Sequence, residues 1–153
     1  MSTYCTIGGL IHYEKEEDFQ AALAILKEGW LDDEGYMLTE DEHRIDEVEP
    51  SVDAVERDIF IPLFHYRNLG YVLNDLFKGG KGKVIWTCTD GCFEGGVIVD
   101  GKETHYDLEK WAAEGENMEF EEDRTPPDVE KEFDDYCEWQ GEVEQAFFEM
   151  MGD

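Results

Sequence analysis

Residues 83–108 read KVIWTCTDGCFEGGVIVDGKETHYDL. Three β-rich runs, KVIWTCT, FEGGVIV and KETHYDL, are separated by Asp90-Gly91 and Asp100-Gly101, dipeptides that accept the positive φ of a tight hairpin turn. The pattern predicts three antiparallel strands in a meander. Side chains alternate along a strand, so Val84, Trp86 and Cys88 share one face of the first, and Ile85, Thr87 and Thr89 share the other.

Upstream, TYCTIGGLIHY at 3–13 predicts another strand, bent at Gly8-Gly9. EKEEDFQAALAILKEG follows, with Phe19, Leu23, Leu26 and Trp30 at helical spacing, acids in the first turn and Gly29 at the end. Residues 31–58 have weak periodicity, and GYML with Pro50 suggests a short strand before an acidic excursion. IFIPLF at 59–64 predicts a further strand, which Pro62 places near a sheet edge. A second helix is expected at 65–78, with Leu69, Val72, Leu73, Leu76 and Phe77 on one face and Gly79-Gly80 as its stop. The expected class is α+β: a mostly antiparallel sheet with helices on one face, a ferredoxin-like variant, plus an acidic C-terminal helix.

Residues 1–117 form the expected α+β domain, and 118–153 an acidic helical tail docked on it. Thr125-Pro126-Pro127-Asp128 carries the marks of a helix start. Val129, Phe133, Tyr136, Val143, Phe147 and Met150 then make an apolar stripe at steps of three and four, with a break expected at Gly141. The stripe is expected to dock on the body; dimerisation through it is the alternative.

With 153 residues, one compact domain is the default, and 41% hydrophobic residues including 7 Tyr, 9 Phe and 4 Trp supply a core that a disordered acidic chain would lack. The 40 Asp and Glu stand against 12 Lys and Arg, a net charge of −28. That balance excludes direct binding of nucleic acid through a basic footprint and argues against an anionic membrane surface. No apolar run approaches a membrane span, and MSTYCTIGG lacks the segments of a signal peptide. Four cysteines make no dense framework, so a cytoplasmic protein with reduced thiols is expected.

The acid is unevenly placed. Residues 59–102 hold four acids and five bases, a net of +1; residues 32–58 hold twelve acids and two bases, a net of −10; residues 103–153 hold nineteen and three, a net of −16. A nearly neutral centre is flanked by two strongly acidic segments. Self-repulsion on this scale costs stability, so the excess calls for a reason beyond solubility. Salt adaptation suits the neutral centre, the nine Phe and the excess of Lys over Arg poorly.

Cys88 and Cys92 flank a turn, with His105 on the next strand, but a structural zinc site wants two short-spaced pairs and only one is visible. Buried, reduced cysteines are the simpler reading, with a disulfide between them open on oxidation. A small cytosolic enzyme using a Cys/His site, with His12, His65 or His105 beside a thiol, is an alternative without a nucleophile signature. LDDEGYMLTEDE at 31–42 lacks the order of a calcium loop, and Gly79-Gly80-Lys81-Gly82 follows a helix instead of opening one, which reverses the dipole a phosphate needs. No cofactor and no metal are expected.

The acid surface is then the candidate functional element. A helix from Asp128 to Glu149 would span about 30 Å and carry nine carboxylates, one every 3–4 Å or so, near the ~3.4 Å phosphate spacing of a DNA strand. Tyr36, Trp111, Phe120, Tyr136 and Trp139 lie among the acids; those the core does not use would anchor a protein interface. The candidate partner-binding residues are Asp32, Asp33, Glu34, Glu40, Asp41, Glu42, Glu121, Glu122, Asp123, Asp134, Asp135 and Glu138.

In size and in these acid runs the chain resembles small acidic inhibitors of phages and mobile elements, of the anti-CRISPR and anti-restriction type, and also nuclease-toxin immunity proteins. The resemblance implies a DNA mimic without catalytic activity that occupies a basic groove on a nucleic-acid-binding protein, in the cytoplasm of a host bacterial cell. An acidic adaptor or chaperone for basic proteins is the alternative.

Overall fold

The computed structural model describes residues 4–47, 49–89, 92–113 and 133–152. Strand β1 (Tyr4–Tyr13) leads into helix α1 (Glu16–Leu26), a two-residue strand β2 (Val52–Asp53) and strand β3 (Asp58–Arg67). A 3-10 turn (Leu69–Val72) and one-turn helix α2 (Leu73–Leu76) connect to strands β4 (Gly80–Cys88), β5 (Glu94–Val99) and β6 (Lys102–Asp107). Helices α3 (Leu108–Ala113) and α4 (Phe133–Met151) complete the chain.

The strands form one six-stranded sheet in the order β2-β3-β1-β4-β5-β6, and every neighbouring pair is antiparallel. This is the expected α+β class. The finer expectation of a ferredoxin-like variant does not match the strand order, because that fold is built from βαβ units. Here β1 lies between β3 and β4 and runs antiparallel to both.

The meander forms as its alternation and turns predict. Val99 pairs directly with Lys102 across Asp100 and Gly101, whose φ angles of 52° and 87° are those of a two-residue hairpin turn. Asp90-Gly91 lies outside the described residues. Along β4 and β5, Val84 opposite Ile98 faces one side of the sheet and Ile85 opposite Val97 faces the other. All four are buried, so the paired middle of β4 and β5 is covered on both faces, whereas β6 is largely exposed.

Two cores result. The larger packs β1, β3 and Val84, Cys88 and Ile98 against Phe19, Leu23 and Leu26 of α1, Leu73 and Leu76 of α2, and Leu31, Met37 and Ile45. The second, across the sheet, packs Ile85 and Val97 against Leu108 and Trp111 of α3 and Trp139, Val143 and Phe147 of α4. Helices on one face thus describe the first half of the chain, and the C-terminal helices add a layer on the opposite face.

In β3 the partner of Ile7 is Phe64 while that of Gly9 is Ile61, so Pro62 and Leu63 together face Gly8. This bulge resets the alternation: Ile59 and Ile61 are buried before it and Tyr66 after it. A Cβ on Gly8 would stand 3.2 Å from the Leu63 Cα, which explains glycine there. Pro62, without an N–H, sits at the bulge, as the edge reading of this strand anticipates.

The expected helix at 65–78 is the main correction. His65 and Tyr66 instead pair with Thr6 and Cys5, which carries β3 on to Arg67. Asn68, at φ 60°, then breaks the chain direction and leaves room for only the 3-10 turn and α2. The apolar set is buried as expected, with Leu69, Leu73, Leu76 and Phe77 all in the core. Spacings of three and four fit a 3-10 turn followed by one α-turn as well as a single long helix.

In the excursion, GYML makes isolated bridges, Leu31 to Met37 and Leu38 to Arg44, in place of a strand. Buried Ser51 ties the excursion down: its N–H donates to Gly35 O, its Oγ accepts from the Met37 N–H, and its carbonyl accepts from the Phe60 N–H. Helix α4 runs continuously through Gly141, where a side chain would meet nothing within 4 Å. The helix start at 125–128 and Val129 lie outside the described residues. Val143 and Phe147 of the expected stripe are fully buried in the second core, whereas Met150 at its end is exposed.

Phe147 makes edge contacts with Tyr106, Trp111 and Phe148. Phe147→Ala should cost about 3–5 kcal/mol through lost burial and the cavity left behind. Urea unfolding checks this, and a cost under about 1 kcal/mol would mean that α4 does not pack as described. Tyr13 donates to Leu76 O and Tyr66 to Pro62 O. Burial pushes both phenols up in pKa, with the Asp18 charge adding to the effect at Tyr13. The folded state therefore keeps protons that the unfolded chain releases above pH ~10, so stability should be full below that pH and fall as the pH rises past it. Unfolding midpoints measured from pH 8 to 11 test the sign.

Candidate functional site

The acid runs fall into two groups that the sheet keeps apart. Asp32, Asp33, Glu34, Glu40, Asp41 and Glu42 belong to the excursion, whose Leu31, Met37 and Ile45 are in the larger core. Asp134, Asp135 and Glu138 belong to α4, on the second core. Glu121, Glu122 and Asp123 lie outside the described residues, as does Phe120. One continuous strip through all the candidate acids is therefore not what the fold presents.

Within the excursion, several acids have structural work. Asp32 Oδ1 accepts from the N–H groups of Glu34 at 2.8 Å and Tyr36 at 3.0 Å, closing a turn. Arg44 enters this turn. It pairs with Glu34, approaches Asp32 at 3.8 Å and Asp46 at 3.7 Å, and lies 4.5 Å from the centroid of the Tyr36 ring. Desolvation opposes the Arg44 charge, but Glu34, Asp32 and Asp46 outweigh it and hold its pKa above the usual value. Glu40 has its carboxylate 3.9 Å from His65 Nδ1 and its N–H donating to the His65 carbonyl. Asp33, Asp41 and Glu42 are exposed and form no ion pair among the described residues.

On α4, Asp134 and Asp135 occupy the first turn, where carboxylates offset the positive end of the helix dipole. Glu144 accepts from Thr87 Oγ1, satisfying a hydroxyl that β4 buries completely. Glu138, Glu142 and Glu149 are exposed and, among the described residues, form no ion pair. Of the interleaved aromatics, Trp111 and Trp139 are core residues and Tyr36 is the platform for Arg44. Tyr136 is half-buried and donates to Glu109 at 3.0 Å; desolvation first, and that bond second, raise its pKa.

The thiols separate in pairs. Cys5 and Cys88 stand directly opposite each other on β1 and β4 and are buried, whereas Cys92 and Cys137 are exposed. The expectation of buried cysteines thus holds for Cys88, whereas Cys92 is exposed. Three of the four histidines meet a carboxylate: His12 Nδ1 lies 2.6 Å from Asp58, His65 lies near Glu40, and His105 Nε2 lies 2.9 Å from Glu94. Cys92, Glu94 and His105 line one open pocket of about 330 Å³ with Tyr136. The sequence set His105 near Cys92 but gave no sign of Glu94 or Tyr136, because Glu94 and His105 meet only through the β5–β6 pairing. No described helix is long and apolar enough to cross a membrane.

No protein-family model, curated protein or solved structure matches this chain.

Two outcomes follow from the geometry. Arg44→Gln leaves Asp32, Glu34 and Asp46 facing one another, so its loss of thermal stability should be larger at low salt than at high salt. An equal loss in both would mean that charge is not what Arg44 contributes. Alkylation of the native protein should label Cys92 and Cys137 quickly, and Cys5 and Cys88 only after unfolding, as read by peptide mass.

Proposed function

We propose that this protein is an acidic inhibitor that binds a basic, nucleic-acid-binding groove on a partner protein, in the manner of anti-CRISPR, anti-restriction or toxin-immunity proteins. The observation that carries this reading is the set of exposed carboxylates with no cationic partner among the described residues: Asp33, Asp41 and Glu42 on the excursion, and Glu138, Glu142 and Glu149 on α4. Acids such as Asp32, Glu34 and Glu144 are engaged within the chain. A net charge of −28 speeds encounter with a cationic groove, and the unpaired carboxylates compete there with phosphate. Because the two sets sit on opposite layers, one of them makes the primary contact.

The test is capture from a bacterial lysate on the tagged full chain at low and moderate salt, with mass spectrometry of the retained proteins. Recovery of one nucleic-acid-handling complex that DNA or RNA displaces supports the reading. Replacing Asp33, Asp41 and Glu42 by Asn, Asn and Gln, or Glu138, Glu142 and Glu149 by Gln, should weaken capture about tenfold or more for one set. Full retention by both would sink the reading. A broad set of basic proteins that salt removes would favour the adaptor or chaperone.

A thiol enzyme is the second reading, favoured by the pocket that Cys92 shares with Glu94 and His105. It predicts that an activity found in the wild-type chain is lost in Cys92→Ser, whereas partner capture is unaffected.

A further inference from the structure

Across the sheet from α4, the larger core takes in Ile98 of β5 but no residue of β6. A cavity of about 220 Å³ opens there, with Asn68, Tyr71 and Asn74 on the wall formed by the turn after β3, and Trp86, Glu94 and Glu103 on the wall formed by the meander. Among the described residues, no Lys or Arg lines it. It shares only Glu94 with the pocket of Cys92.

Trp86 supplies a platform. Its pairing partner on β5 is Gly96, and a Cβ there would stand 2.3 Å from the indole Nε1 and 2.7 Å from Cε2. The indole therefore rests against glycine backbone and leaves its other face to the cavity. Its Nε1–H donates to Glu103 Oε2 at 3.3 Å. Beside it, the His105 ring lies 6.0 Å away between centroids, with Nε2 2.9 Å from Glu94 Oε2. Each carboxylate is steadied through one oxygen, and a carboxylate has acceptor capacity on its second. Tyr71, 64% exposed, adds another aromatic surface, and Asn68 and Asn74 add amide groups.

We infer that this cavity takes the guanidinium group of an arginine side chain on the basic partner protein. A flat, delocalised cation stacks on an indole while its in-plane N–H groups reach carboxylates at the edge of the ring. A compact, strongly hydrated ammonium uses less of that geometry, and two carboxylates exclude an anion. The source of the arginine rests on the proposed function; the preference of the cavity for guanidinium is measurable without any partner.

The experiment titrates the ¹⁵N-labelled full chain with N-acetyl-arginine amide, with the neutral isostere N-acetyl-citrulline amide, and with spermidine, following the Trp86 indole N–H resonance. The arginine probe should give a saturable shift, the citrulline probe none, and spermidine weaker binding than arginine. Glu103→Gln keeps an acceptor for Trp86 Nε1 and should weaken the arginine probe about fivefold or more, with amide dispersion showing that the variant is folded. The absence of a saturable shift, equal binding of the citrulline probe, or tighter binding of spermidine would each overturn the inference. The Asp33, Asp41, Glu42 variant should bind the arginine probe like the wild type. Full lysate capture by both acid variants with an intact probe shift would therefore count against the acidic-inhibitor reading and leave the cavity standing.

Discussion

The rest of the structure depends on the meander having apolar side chains on both of its faces. Val84 and Ile98 point one way, Ile85 and Val97 the other, and all are buried. A sheet of this kind cannot leave one face to water, so it has to be covered twice. Helix α1, α2 and Leu31, Met37 and Ile45 of the excursion cover one side; α3 and α4 cover the other. Thr87 is a fully buried polar residue on the α4 side of β4, and Glu144 satisfies it, which ties the position of the helix to the strand. A buried hydroxyl left without that acceptor would cost about as much as a hydrogen bond is worth.

The charge distribution follows from the same layering. The central strands carry almost no net charge because they are interior, and the acids collect on the two outer layers. There they are not equivalent. Some hold turns or cations, as Asp32 and Glu34 do around Arg44; some sit where a helix end favours them, as Asp134 and Asp135 do. The remainder repel one another, and that cost is uncompensated within the described chain. A binding partner that supplies the cations would recover it, which is the physical sense in which the acid surface is unfinished.

The meander and α1 were legible in the sequence because their signals are local: alternation between turn dipeptides in the first, and apolar spacing with acids at the start in the second. The reach of β3 was not legible, since His65 and Tyr66 take strand geometry from Thr6 and Cys5, about sixty residues away. Nor was the number of covered faces. The alternation showed Ile85 and Thr87 sharing a side, but what packs on them comes from α4, beyond a long intervening segment. The candidate acids were legible as runs and not as roles, because Arg44 engages Asp32 and Glu34 only through the fold of the turn. The Trp86 cavity had no sequence signal at all: its two walls come from separate stretches joined by the β1–β4 and β4–β5 pairings.

The acidic excursion also decides what can happen at the margin of the sheet. Strand β2 pairs with only the first residues of β3, so most of β3 is a border strand that carries Phe60, Leu63 and Phe64 partly in the open. Such a border is a template on which another chain can add a strand and begin a fibre. Here the Phe60 N–H is taken by Ser51 O, the His65 carbonyl by the Glu40 N–H, and Pro62 has no N–H to offer. An approaching strand would find no continuous row of donors and acceptors, and it would meet a belt of negative charge first. The segment that gives the protein its repulsive surface thus also closes the β3 border of the sheet to growth, so a cut or deletion within 31–58 would open a route to aggregation along that border.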